Sequence, residues 1–312
     1  MNAPAPEAAA LLARLDDLGM RPYTEIGVFG ARHAVEASRW MQGAKPGGVS
    51  TREVLADGGD GPLPVRVYHP EPGTELPLTV WLHGGGWVTG SVALADRPCR
   101  AIAAASRTVV ASVEYRRAPE TPFPGPLDDA VAATRWLATH AHTLGADGSR
   151  VAVGGDSAGA TLATAAARRL RGARWLRRQV LVYPPLTPPD PDAHPSWKEF
   201  GAGHLLTRED MTWFWHHYLG GDPHAATPPP DAAPLTAPGH AGVAPVSIAV
   251  AGCDPLRDEG VAYAVRLGET RVPVSLREWP DMIHGFLGMG GELAATAELV
   301  AWIADELSRE ET

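Results

Sequence analysis

The 312-residue chain holds only two cysteines, Cys99 and Cys253. Two thiols exclude a disulfide framework and sit at no metal-ligand spacing, so both are read as small buried hydrophobes. No apolar run approaches the ~18 residues that a membrane-spanning helix needs. The first residues, MNAPAPEAAALLARLDD, lack a positive leader region and are interrupted by Arg14, Asp16 and Asp17, so no secretory signal is expected. Lys and Arg (27) are outnumbered by Asp and Glu (36), for a formal net charge of −9, and no basic run is interleaved with aromatics. Phosphate binding needs a positive footprint, so a nucleic-acid partner is excluded. A soluble, cytoplasmic protein with no membrane partner is expected. Internal repeats and low-complexity segments are also missing.

What the chain does have is an alternating pattern. Apolar, β-rich runs occur at 65–69 (VRVYH), 78–83 (LTVWLH), 108–115 (TVVASVEY), 150–155 (RVAVGG), 179–183 (QVLVY), 246–252 (VSIAVAG) and 274–279 (VSLREW). Between them lie helix-like segments near 92–106, 127–143, 158–170, 258–268 and 291–308. The later runs are almost continuously apolar, as strands covered on both faces should be. The fold class expected is α/β, a mostly parallel central sheet flanked by helices.

Two stretches break the rhythm. Residues 1–45 read as helices placed before any strand. Residues 184–245 begin as a Pro-rich loop and lead into TREDMTWFWHHYL, where Thr207 and Asp210 resemble a capping box. Met211, Phe214, Trp215, Tyr218 and Leu219 then fall on one helical stripe. Insertions of this length are commonly lids or added subdomains. The expected organisation is N-terminal cap helices over 1–45, a core in two parts over 46–183 and 246–312, and a cap insertion over 184–245. The plainer alternative places the striped helix against the flank of the sheet.

Gly155-Asp156-Ser157-Ala158-Gly159 has the form G-x-S-x-G, directly after a strand and before a helix. In that setting a tight turn exposes the hydroxyl, and its neighbours must lack bulk. A serine hydroxyl is a weak nucleophile that needs a histidine oriented by a carboxylate. His284 alone among the histidines follows the last strand, and the order Ser, acid, His suits a fold of this kind. Asp254, directly after VSIAVAG, projects from the same sheet edge and is the chosen acid, with Asp258 second. The glycines of His83-Gly84-Gly85-Gly86-Trp87 free backbone N–H groups to turn inward, so Gly85, Gly86 and Ala158 are the expected oxyanion donors. His83 is read as bracing that loop. Trp87, Phe200, Trp213 and Trp215 would line a substrate pocket or, equally, form the core of the cap.

HGGGW, GDSAG, DPLRDEG and IHGF, in this order and spacing, resemble the bacterial hormone-sensitive-lipase-like esterases, family IV of the α/β-hydrolase superfamily. YRRAPETPFPGPLDDA (115–130) and LLTREDMTWFWHHYL (205–219) extend the resemblance over nearly the whole chain. The pattern departs at Arg117, where that family commonly shows an apolar residue. The resemblance implies an α/β-hydrolase fold with a helical cap, no cofactor, and a serine carboxylesterase acting on short- to medium-chain acyl esters. A homodimer is also compatible with it. Two other readings share these residues: an amide or arylformamide hydrolase with the same triad, and a non-catalytic ligand receptor on the same fold.

Overall fold

The computed structural model describes residues 2–309, so Met1 and residues 310–312, at the ends of the first and last expected segments, lie outside it. Helices α1 (Pro6–Asp17) and α2 (Tyr23–Ala37) precede a hairpin of β1 (Ser50–Gly58) and β2 (Gly61–His69). Strands and helices then alternate: β3 (Leu76–Leu82), α3 (Asp96–Ser106), β4 (Val109–Val113), α4 (Gly125–Thr139), β5 (Ala146–Asp156), α5 (Ala158–Arg169) and β6 (Leu176–Val182). Helices α6 (Ser196–Phe200) and α7 (Arg208–Leu219) follow, and then β7 (Val246–Cys253), α8 (Arg257–Glu269), β8 (Val274–Ile283) and α9 (Ala295–Ser308).

One eight-stranded sheet has the order β1-β2-β4-β3-β5-β6-β7-β8. The β1/β2 and β2/β4 pairs are antiparallel and all the others parallel. The continuous apolar runs are explained by burial on both faces. In β7, Val246, Ile248 and Val250 enter the core on one side, while Ala249, Ala251 and Cys253 enter the other. Both cysteines are free and buried, as expected from their number.

The expected alternation is present, with one strand added. Residues 50–58, STREVLADG, form β1 at the sheet's edge with most of their side chains in solvent. Only Val54 and Ala56 turn toward the core, so the strand needs little apolar character, and its pairing with β2, Val54 opposite Val65, comes through the backbone.

The two stretches outside the alternation divide their packing. Ala8, Leu11 and Leu15 of α1 are buried in the cluster that holds Trp279 and Trp302, and Ala5 N–H donates to Asp281 O at 2.9 Å. Helix α2 breaks at Gly27 (φ 65°, ψ −177°), beside open space where no side chain is needed. Its first turn meets α7: Tyr23 N–H donates to Asp210 Oδ1 at 3.1 Å and Thr24 Oγ1 to Glu209 Oε1 at 2.8 Å. Helix α7 starts where the sequence places it, with Thr207 Oγ1 accepting from Asp210 N–H at 3.0 Å and donating to Asp210 Oδ2 at 2.7 Å. Its apolar stripe faces the loop after β3, where the Trp87 ring stacks on Tyr218 at 4.3 Å. Among the described residues, no helix is long and apolar enough to cross a membrane.

Candidate active site

Strand β5 ends at Asp156, helix α5 starts at Ala158, and Ser157 between them has φ 52° and ψ −125°. A non-glycine residue held there is strained, and the surroundings must leave no alternative. The glycines on either side explain how. A Cβ on Gly159 would lie 2.6 Å from His83 O and closer still to Leu82 O, and one on Gly155 would lie 2.6 Å from Gly159 C. The turn therefore packs backbone on backbone.

Strands β5, β7 and β8 end at the same rim of the sheet, which brings together the three expected residues. His284 Nδ1 is 2.7 Å from Asp254 Oδ2, and His284 Nε2 is 3.0 Å from Ser157 Oγ. A carboxylate oxygen only accepts, so Nδ1–H is the donor and the Nε2 lone pair faces the hydroxyl. Asp254 is itself fixed by Leu256 N–H, which donates to its other oxygen at 2.9 Å. Asp258, the second choice, points elsewhere: Oδ2 accepts Ser196 N–H at 2.7 Å and Oδ1 pairs with Arg257 at 2.8 Å.

Its neighbour Glu259 is fully buried and accepts from Leu186 N–H at 2.7 Å, Thr187 N–H at 3.1 Å and Trp197 Nε1–H at 2.9 Å. Asp258 and Glu259 together hold the segment that leaves β6. Burial pushes the Glu259 carboxyl up to about 8, against the pull of those three donors. A carboxyl raised in the folded state stabilises fully only below its unfolded value near ~4.3, and that stability is lost as pH rises. Urea unfolding followed by tryptophan fluorescence should thus show stability falling between pH 6 and 8, and Glu259→Gln should flatten that fall. A variant with the wild-type slope would assign the fall to another group.

The loop after β3 faces Ser157 from the other side. Gly85 (φ 117°) and Gly86 (φ 59°) adopt backbone conformations that favour glycine. Gly85 O accepts from Val88 N–H at 3.1 Å and Thr89 N–H at 2.8 Å, which closes the turn. Among the described residues, nothing accepts a hydrogen bond from the N–H of Gly85, Gly86 or Ala158. A Cβ on Gly86 would collide with the ring of Phe214, so this turn and α7 are in direct contact. His83 braces the loop as expected: Nδ1 lies 2.8 Å from Gly84 O, and the ring stacks on Tyr115 at 4.4 Å. Burial lowers the His83 pKa, which keeps the ring neutral.

Ser157 and His284 open on a cavity of about 420 Å³, walled by Tyr23, Tyr183, Leu205, Met211, Phe214 and Met289 among others. Trp87, Phe200, Trp213 and Trp215 are not among its lining residues. Trp87 and Trp215 are buried against each other at 4.6 Å. Phe200 lies beneath Arg257 at 5.2 Å, and Trp213 lines a separate outer cavity beside Tyr23. The helical stripe shows which residues turn inward, but not that Trp87 would meet Trp215 and Tyr218 and leave Met211 and Phe214 to face Ser157.

Two contributors were given no role by the sequence, although Asp156 sits inside the GDSAG stretch. Asp156 also lines the cavity; its Oδ1 accepts Trp81 Nε1–H at 3.2 Å, and burial raises its pKa to about 6. Tyr183, at φ 40°, lays its ring 4.6 Å from that of His284.

The profile of a family described by the α/β-hydrolase fold matches residues 79–288. The chain belongs to the α/β-hydrolase family. Within it, the hormone-sensitive-lipase-like esterases suggested by the motifs are the matching group. This α/β-hydrolase is 39% identical over 252 residues to the esterase LipI of Mycobacterium tuberculosis, covering 79% of this chain and 78% of that one. It is 37% identical to the ethyl acetate hydrolase of Pseudomonas putida, over 79% of this chain and 78% of that one. Among solved structures, a thermostable esterase from Pseudomonas putida superposes with a TM-score of 0.92 at 29% identity, covering 99% of both chains. The Ser161Ala variant of an α/β-hydrolase enzyme from the Lake Arreo metagenome gives 0.90 at 33% identity and 97% coverage of both.

Proposed function

We propose that this α/β-hydrolase is a serine carboxylesterase that works through an acyl-enzyme. The observation that carries the reading is the contact series from Ser157 Oγ to His284 Nε2 at 3.0 Å and from His284 Nδ1 to Asp254 at 2.7 Å. Ser157 Oγ attacks the ester carbonyl while His284 Nε2 takes its proton. Charge on the carbonyl oxygen is met by the N–H groups of Gly85, Gly86 and Ala158 and by the positive end of α5. His284 then returns the proton to the departing alcohol. Water then attacks the acyl carbonyl as His284 Nε2 takes its proton; the bond from that carbon to Ser157 Oγ breaks as His284 returns the proton to Oγ, and the acid departs. Asp254 holds the imidazole in the tautomer that both halves require.

In this reading residues 1–45 and 184–245 form the cap, since Tyr23 of α2 and Met211 and Phe214 of α7 roof the cavity. A volume near 420 Å³ with largely apolar walls suits a small ester of short to medium acyl chain. Ester and anilide substrates sharing one acyl group, with chains of two to twelve carbons, provide the test. The esters should turn over much faster than the anilides, with the rate declining for the longest chains. Anilides cleaved as fast as esters would move the function to amide hydrolysis; binding without turnover of either would favour a receptor.

A further inference from the structure

The N–H groups of Gly85 and Gly86 work as oxyanion donors only if their loop is rigid, and that rigidity comes from its outer face. Trp87 O accepts Ala118 N–H at 2.9 Å, and Val88 O accepts Arg32 Nε–H at 2.8 Å. Further along, Gly90 O accepts from the Arg117 guanidinium, Val92 N–H donates to Glu114 Oε2 at 2.7 Å, and Ser91 Oγ donates to Glu36 Oε1 at 2.6 Å. Arg117 Nη2 stands 3.6 Å from Glu114 Oε1, so the two side chains that grip Gly90 and Val92 also pair with each other.

Gly90 is the link to the chemistry. A Cβ there would lie 2.8 Å from His83 Nδ1 and closer still to Gly84 O, so Gly90 packs directly behind the residues that lead into Gly85. A shift of Gly90 is therefore passed on to the donor turn. Arg117 itself is not among the residues lining the cavity.

We propose that Arg117 is a positioning residue: paired with Glu114, it clamps the far end of the oxyanion loop at Gly90 and so holds the Gly85 and Gly86 donors in line with Ser157. The proposal rests on the ester-hydrolase reading above. A guanidinium can bond a carbonyl and a carboxylate at once, whereas an aliphatic side chain of similar length can do neither.

The test compares Arg117→Leu, Arg117→Gln and Arg117→Lys with the wild type on one chromogenic butyrate ester, each normalised by active-site titration with a fluorophosphonate. Arg117→Leu and Arg117→Gln should lower kcat by about tenfold or more while KM stays within about twofold, because misplaced donors weaken the transition state rather than substrate binding. Arg117→Lys, which can still donate to Gly90 O, should recover part of kcat. Unchanged kcat in a folded Leu or Gln variant overturns the proposal, as does a loss spread over stability alone, with normal turnover per titrated site. If Arg117→Leu does not fold, the Gln and Lys variants decide in the same way. A wild type that hydrolyses no ester would defeat the functional reading itself, a result distinct from equal kcat in wild type and variants.

Discussion

Replacing Ser157 by alanine is expected to lower ester turnover by on the order of 10⁶-fold and to leave the protein folded, because the members of a triad act as one unit. Among the described residues, Ser157 Oγ hydrogen-bonds to His284 Nε2 alone, so the substitution removes the proposed nucleophile and breaks no other side-chain hydrogen bond. The strained backbone at φ 52° is fixed by the glycines around it and not by the hydroxyl, so alanine inherits the same turn. Turnover of a chromogenic acetate, labelling by a fluorophosphonate and the melting temperature together check this. A folded Ser157→Ala protein that retains a substantial fraction of wild-type turnover would remove Ser157 from the mechanism, and the acyl-enzyme with it.

The second large effect separates two acids four residues apart. Asp254→Asn should cost about 10⁴-fold in kcat, since an asparagine NH₂ facing Nδ1 forces the imidazole into the tautomer that cannot accept the serine proton. The fold should survive, because the asparagine carbonyl can still accept Leu256 N–H. Asp258→Asn provides the contrast. Its carboxylate holds Ser196 N–H and pairs with Arg257, so the loss should be confined to a partly exposed ion pair and turnover should stay within about fivefold. A reversed result, with Asp258→Asn crippled and Asp254→Asn active, would overturn the assignment of the acid.

The residues that meet at the rim were legible in the sequence because each sits in a turn whose local chemistry is specified by its neighbours. Gly155 and Gly159 announce backbone packed on backbone, the glycines after His83 announce free N–H groups, and Asp254 and His284 directly follow apolar strands. The cavity wall was not legible in that way. A stripe on α7 identifies its buried face, but whether Trp215 or Phe214 reaches the substrate depends on where Trp87 and Tyr23 lie, and they come from distant segments. Strand β1 escaped notice for the opposite reason, because its side chains are mostly solvated and only Val54 and Ala56 reach the core, too few to mark an apolar run. Arg117 was visible as a departure from the resembled family's pattern, and its grip on the Gly90 carbonyl emerged only in three dimensions.

Gly86 cedes its side-chain space to the ring of Phe214. In the proposed mechanism, selectivity and charge stabilisation thus touch at one point yet are encoded on separate stretches of chain. On that proposal, what the enzyme accepts can drift through exchanges on a helix while the turn assigned to the negative oxygen keeps its shape, and enlarging the chamber asks for a smaller residue at 214 rather than a rebuilt turn at 86.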